Sequence, residues 1–486
     1  MNRVETPQSR CRAAFARCDI TPPVGIYHRM WGAALHDRAT GVHRPLEAGL
    51  LWLEPRERRS TSPQIAVSLD HCILDAAEIR VIRNGIAAAT GVPFESVLVT
   101  LSHTHGSGWM SRTRSHLPGG DLIGPYFDQI LERVVSLARE AQSRVADATI
   151  VYGIGTCSMA AHRDYLDVDS GKVVCGFNPT GPADHTLLVA RISTDDGASE
   201  RPLATVVNYA CHPTTLAWEN TLISPDWVGA MRETVERESG APCLFLQGAS
   251  ADLGPREGFV GNPEIADRNG CEVGYAALAA LVPLPKAGTD FQYAGPVVSG
   301  AVLGTWKHLP VSDEFRQRHA AWRWTTVTVD LPYRPDLPTI EQTTQEREHW
   351  LGEEARARSA GDEARVRDCR AQVEQRTRQL ARLAALVPGA AYPLEVRIGL
   401  VGDAIWVFTP GELYQIFQTE LRRCFAPRPV VVTTLTNDWQ PGYVPPVETF
   451  GRGIYQEIIA ATAPGCLETL IESVAGTIRG LVEQAG

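Results

Sequence analysis

No stretch of this sequence reaches the ~18 apolar residues that a membrane helix requires, and the amino-terminal residues carry charge without the apolar core of a secretion signal. The reading is a cytoplasmic protein with no transmembrane segment. The 11 cysteines are odd in number, run from Cys11 to Cys466 and form no Cys-x-x-Cys pair, which argues against a disulfide framework and a zinc ribbon. They are expected to be mostly buried thiols. Cys211, although next to His212, lacks the helix amino terminus or glycine-rich elbow that would make it a nucleophile. Basic charge is also short. At a formal net charge of −10 the chain has no footprint for nucleic acid and no polybasic membrane anchor. No internal repeat of roughly 20–50 residues is present, which excludes a solenoid or propeller. Partners are expected to be small or neutral molecules.

What is present is an ordinary globular composition. The 486 residues are 44% hydrophobic and 21% charged, enough to bury a large core. Short apolar runs (Ile65 to Leu69, Val97 to Leu101, Thr149 to Tyr152, Leu187 to Ile192, Ala204 to Tyr209, Cys243 to Leu246) alternate with helical stretches at Ala76 to Ala89, Tyr126 to Ser143 and Trp227 to Ser239. That alternation predicts an α/β or α+β fold, with mixed β-sheets flanked by helices, and argues against an all-helical protein or a β-sandwich. Residues 340–386 interrupt it. They are dense in Glu, Arg, Gln and Ala, with a break at Ser359-Ala360-Gly361-Asp362, and predict an inserted helical hairpin. Its charges read as a solvated face, with a contact in a homo-oligomer as the alternative. Strand patterning resumes at Leu394 to Val401, Ala404 to Thr409 and Pro429 to Leu435, and Leu467 to Glu483 reads as one amphipathic helix. The hairpin is thus an insertion within a single domain spanning 10–486.

The chemistry concentrates where apolar runs end. Phe94 to Leu101 predicts a buried strand, followed by Ser102-His103-Thr104-His105 and a glycine-rich turn. On a strand, residues two apart face the same way, so His103 and His105 are expected to converge. Such a pair suits a metal or a polarised carbonyl, although two hydrogen-bonded histidines in a packed strand end would read the same. The run from Leu203 likewise ends at His212, where Pro213 stops regular structure. Neutral imidazoles favour zinc over the oxygen-preferring magnesium and calcium. Glu412 follows a buried run and a Pro-Gly turn, where it could equally cap a helix against its dipole. Tyr443 sits in a turn-rich loop after another apolar run, a position where tyrosine usually packs.

These segments, from Asp19-Ile20-Thr21-Pro22-Pro23 to Tyr455-Gln456-Glu457, resemble in order the amino-terminal domain of the neutral/alkaline non-lysosomal ceramidases, zinc-dependent amidases. The resemblance implies Zn2+ held by His103, His212, Glu412 and Tyr443. It places His105 and Arg163 beside the substrate carbonyl, and makes Asp226 and Asp252 candidates for orienting the histidines. The implied reaction is hydrolysis of the amide of an N-acyl compound, a ceramide-like lipid or a smaller metabolite, by water acidified at the metal. Ester or lactone hydrolysis, acyl transfer in a biosynthetic direction, and a catalytically silent ligand-binding protein remain open readings of the same site. The chain departs from the family in several ways. It continues with Gly106-Ser107-Gly108-Trp109-Met110, which places an indole near the expected pocket mouth. It carries no serine in Ala251-Asp252-Leu253-Gly254-Pro255, and no carboxyl-terminal immunoglobulin-like domain is expected. A substrate shorter or more polar than ceramide is expected.

Overall fold

Val206 and Val207 are neighbours on the strand Glu200–Tyr209, point to opposite faces of their sheet, and are both fully buried. Both faces of that sheet are therefore covered, which is why its strands read as continuous apolar runs and not as alternations. The computed structural model describes residues 2–57, 62–195 and 200–484. Within them eight strands form the main sheet, in the order Cys243–Gln247, Glu200–Tyr209, Thr186–Asp195, Ala146–Thr156, Gln8–Asp19, Glu47–Pro55, Gln64–Leu69 and Val97–Leu101. The outermost pair at each end is parallel and the pairs between them are antiparallel. A second sheet has the order Trp322–Pro332, Ala391–Val401, Ala404–Phe408 and Val430–Thr433.

One face of each sheet packs on the other. Phe15, Leu51, Tyr152, Val206 and Leu246 of the main sheet share a core with Val401, Trp406, Phe408 and Val431 of the second. Helices cover the outer faces. Ala76–Thr90 and Ile123–Ser143 lie on one half of the main sheet, Trp227–Ser239 and Pro263–Leu281 on the other. Gln415–Phe425 and Cys466–Glu483 cover the second sheet. The mixed α/β class agrees with the sequence pattern. The face-to-face packing of two sheets does not follow from it, because an apolar run looks the same whether a helix or a sheet lies across it.

The predicted hairpin is Ile340–Ser359 and Glu363–Ala385. A capping box between Thr339 and Gln342 starts the first helix, Asp362 caps the second, and Gly361 at φ 71° makes the turn between them. Its charges are not all solvated, contrary to the simple reading of the sequence. The second helix lies so close to the loop at residues 31–32 that a Cβ on Gly32 would stand 3.2 Å from the Cα of Ala371. There Glu374 is buried and forms ion pairs with Arg114 at 2.9 Å and Arg378 at 2.8 Å, and Arg370 pairs with Asp37 at 2.9 Å. Amphipathic patterning shows which face is apolar, but not that a charged face has found opposite charges elsewhere in the chain. The carboxyl-terminal helix, Cys466–Glu483, matches its predicted span within a residue. The cysteines are free and mostly buried, with Cys175 and Cys424 exposed. Among the described residues no helix is long and apolar enough to cross a membrane.

Candidate metal centre

Four loops meet at the carboxyl ends of strands from both sheets. Val97–Leu101 leads to His103, Glu200–Tyr209 to His212, Ala404–Phe408 to Glu412, and Val430–Thr433 to the loop carrying Tyr443. The two sheets are joined there by Asn437, whose N–H donates to the Val99 carbonyl at 2.7 Å and whose side-chain oxygen accepts from Val99 N at 3.0 Å. Among the described residues, the non-glycine residues with positive φ are His103, Asp226, Phe259, Leu435 and Asn437, all on the loops that build this corner. Such conformations cost about 1–3 kcal/mol each and gather where a site fixes the backbone.

His103 and His105 meet, though not through strand alternation. The strand ends at Leu101, His103 turns to φ 68°, and His105 begins a short 3-10 turn. Their rings nevertheless lie edge to face with centroids 5.1 Å apart, and the His212 ring stands 4.7 Å from that of His103. Glycine is required at two places in this turn. A Cβ on Gly106 would meet the Ser224 carbonyl at 2.5 Å, and one on Gly108 (φ 79°) would meet His28 Cα at 2.8 Å.

The protons of the two inner imidazoles are already assigned. His103 Nδ1–H donates to the Cys72 carbonyl at 2.8 Å, and His212 Nδ1–H to the Ser250 carbonyl at 2.7 Å. Each ring is thereby fixed with its Nε2 lone pair facing inward. His103 Nε2 has no hydrogen-bond partner. Glu412 Oε2, also an acceptor, stands 3.3 Å from His103 Nε2 and 3.2 Å from His212 Nε2. Tyr443 Oη is 3.4 Å from His212 Nε2. Here the Glu412 carboxylate favours a proton on His103 and the Tyr443 hydroxyl faces His212 Nε2, and a cation among these four side chains would replace those protons. Ligands about 2.0–2.1 Å from a tetrahedral zinc stand about 3.3–3.4 Å from each other, the spacing found here. His103, His212, Glu412 and Tyr443 thus fit a metal ion.

Burial disfavours charge on His103, but Cys72 and Glu412 outweigh it and raise the ring well above its ordinary value, so a positive charge is favoured where a metal would sit. Burial opposes charge on Glu412, yet the two imidazoles hold its carboxylate well below the usual range. His212 is lowered to about 3, chiefly by burial and then by the Arg163 charge, so it offers a neutral ring. Burial raises the Tyr443 phenol well above its ordinary value, against the lowering effect of Arg163. Arg163 Nη2–H donates to Tyr443 Oη at 3.1 Å and stabilises negative charge on that oxygen. His105 stands apart from this set. Neither ring nitrogen has a protein partner, and burial followed by repulsion from His103 and His212 keeps it neutral. Burial also raises the Cys211 thiol well above its ordinary value and leaves it inert.

Four expected positions differ. Asp226 does not touch an imidazole: it accepts from Trp227 N at 2.7 Å as a helix cap and from Leu216 N at 2.8 Å, tethering the loop after His212. Asp252 accepts from Gln415 N at 2.9 Å and Gln415 Nε2 at 2.6 Å, and its carbonyl receives Arg163 N at 3.0 Å. The carboxylates therefore brace loops, and main-chain carbonyls orient the rings. Trp109 is not at the mouth but is only 4% exposed, packed edge to face on Trp439 at 6.2 Å, at the inner end of the cavity. Glu412 opens no helix. Glu412–Leu413 is a short strand parallel to Tyr443–Val444, and the next helix starts at Gln415.

A cavity of about 460 Å³ leads down to His105, Arg163 and Tyr443. Trp31, Trp218 and Phe259 form an aromatic wall, with the Trp31 ring 5.0 Å from that of His105. The second hairpin helix supplies another wall that includes Arg378 and Arg382. These arginines were invisible as site residues in a segment where nearly every turn carries a charge. The cluster Trp31, Trp218 and Phe259 left no motif at all.

Two solved structures share this architecture. The neutral ceramidase from Pseudomonas aeruginosa superimposes with a TM-score of 0.65 at 17% identity, over 98% of this chain and 75% of that one. The fold is that of a neutral ceramidase. A structure described as ceramidase complexed with C2 gives a TM-score of 0.64 at 16% identity, over 98% of this chain and 76% of the other. No family model and no curated protein matches the sequence. The neutral ceramidase fold spans nearly the whole chain, while the low identity leaves its chemistry to be argued from the site.

Proposed function

We propose that this protein is a zinc-dependent amidohydrolase that cleaves N-acyl compounds. The observation that carries the reading is the set of inward-facing acceptors His103 Nε2, His212 Nε2 and Glu412 Oε2, with Tyr443 beside them, at tetrahedral spacing under an apolar-walled cavity. His103, His212, Glu412 and Tyr443 hold the ion. Bound zinc supplies Lewis acidity and lowers the pKa of water towards about 7.

The remaining steps belong to the chain. His105, neutral and without a protein partner, donates its single N–H to the oxygen of the scissile carbonyl as negative charge develops there. Arg163 holds the charge on Tyr443 Oη. Water oxygen adds to the acyl carbon, the C–N bond breaks, and the nitrogen leaves as an amine with a proton from that water. Trp31, Trp218 and Phe259 receive the acyl chain and exclude solvent. A cavity of this size, closed by the hairpin, suits an acyl compound shorter or more polar than ceramide.

The test is a hydrolysis screen of the zinc-loaded protein over N-acyl amines, N-acyl amino acids and ceramides of graded chain length. Cleavage of short or polar N-acyl compounds that stops on chelation and returns with zinc supports the reading. Release of no amine from any of them, or equal cleavage after metal removal, overturns it.

A further inference from the structure

Arg382 is 8% exposed, and its Nε and Nη2 share one neutral acceptor, Gln379 Oε1, at 3.1 and 2.6 Å. Among the described residues no carboxylate lies within ion-pair distance of it, and Glu412 attracts it only from beyond that distance. Arg378, one turn earlier, differs: it pairs with Glu374 and also donates to the Met30 carbonyl. Glu374 is already shared with Arg114, so no carboxylate is left over for Arg382. A guanidinium does not lose its proton in a protein, and burying one without an opposite charge is costly. The Arg382 side chain lines both the cavity and its inner extension, which Glu412 and Tyr443 also border. An anion entering the cavity would supply the contact counter-ion that no side chain of the described residues makes with it.

We propose that the substrate carries an anionic head, a carboxylate or sulfonate, that binds Arg382 while its acyl chain lies on the aromatic wall. This rests on the amidohydrolase reading and narrows it to N-acylated amino acids and their sulfonate counterparts. The two ends of the molecule are recognised by opposite chemistries on separate walls: loop aromatics Trp31, Trp218 and Phe259 on one, the hairpin guanidinium on the other. Guanidinium geometry matches a planar carboxylate through two parallel N–H bonds, which lysine cannot reproduce. Because the whole chain is acidic, at −10, the positive charge is a property of this cavity and not of the general surface.

The test uses the zinc-loaded full-length protein and three substrates of one acyl length: an N-acylglycine, the N-acyl aminosulfonate, and the neutral N-acylglycinamide. The wild type should favour one or both anions over the amide by about 10- to 100-fold in kcat/KM, the range expected for a hydrogen-bonded charge. Arg382→Gln should abolish that preference, mainly through a raised KM for the anions, and Arg382→Lys should recover part of it. Equal rates on all three substrates in the wild type, which needs no variant to fold, overturn the proposal, as does an equal loss on all three in Arg382→Gln. If no substrate is cleaved, the amidohydrolase reading falls and calorimetry with the same N-acylglycine decides the anion site. Binding at least tenfold weaker to Arg382→Gln than to the wild type sustains it, and equal affinity, or no binding to either, overturns it.

Discussion

Glu412 and Tyr443 are direct register partners in a two-residue parallel ladder, with Glu412 N donating to the Gly442 carbonyl at 2.8 Å. Partners in register present their side chains on the same face, so a carboxylate and a phenol from distant segments are set side by side by the main chain itself.

The purified protein should contain about one zinc per chain, since the acceptors come from four segments that only the folded state assembles. Elemental analysis should find His212→Ala empty of metal. Native protein without zinc, or a variant with undiminished content, would refute the ligand set.

His103 and His105 should separate by function. His103→Ala is expected to lose both metal and activity, whereas His105→Ala keeps its zinc and loses about a hundredfold or more in turnover. Metal content and kcat measured on the same preparations decide this, and equal zinc loss in both variants would make His105 a ligand.

The ion pairs under the hairpin predict a large stability effect. Glu374 is held at about 2: burial works against its charge, but Arg378 and Arg114 outweigh it. Its contribution is therefore present above the ordinary carboxylate pKa and is lost as pH falls towards 2. Glu374→Gln at neutral pH should cost about 3–5 kcal/mol in denaturant melts, because the buried Arg114 and the partly buried Arg378 lose their shared partner. A change under about 1 kcal/mol would mean that the hairpin is not anchored there.

His28 gives the opposite kind of pH test. Burial lowers it to about 4, and its Nε2–H donates to the Gly106 carbonyl at 2.8 Å. Between about 4 and its ordinary value of 6.5 the unfolded chain binds a proton that the folded chain does not, so stability falls as the solution is acidified through that window. In His28→Gln the slope of unfolding free energy against pH should be shallower than in the wild type by up to about 1.4 kcal/mol per pH unit. Identical slopes would show that His28 is not buried as a neutral ring.

The sequence was most legible where one physical constraint acts on adjacent residues. The runs ending at His103, His212 and Glu412 could be read because a buried strand needs consecutive apolar residues and the chemistry sits where it stops. The hairpin was legible for a similar reason, since helix periodicity and caps are local. What supports the imidazoles was not: Cys72, Ser250 and Leu253 act through main-chain carbonyls, which any residue type provides. Asp226 and Asp252 illustrate the converse error, as a carboxylate near a motif attracts a chemical role when turn and cap bonds already satisfy it. Trp109 went to the interior because Trp439, far along the chain, packs against it. The role of Arg382 depends on the absence of a counter-charge, and no local pattern records an absence.

The zinc-fitting side chains all come from loops that follow strands of the two sheets, and the hairpin supplies none of them. The loops that carry the proposed metal ligands and the part of the wall that bears Arg378 and Arg382 thus belong to separate stretches of the chain. Such a division lets the cavity wall vary independently of the candidate metal centre: exchanging residues 340–386 for another helical pair should change which molecules fit the cavity while His103, His212, Glu412 and Tyr443 keep their arrangement.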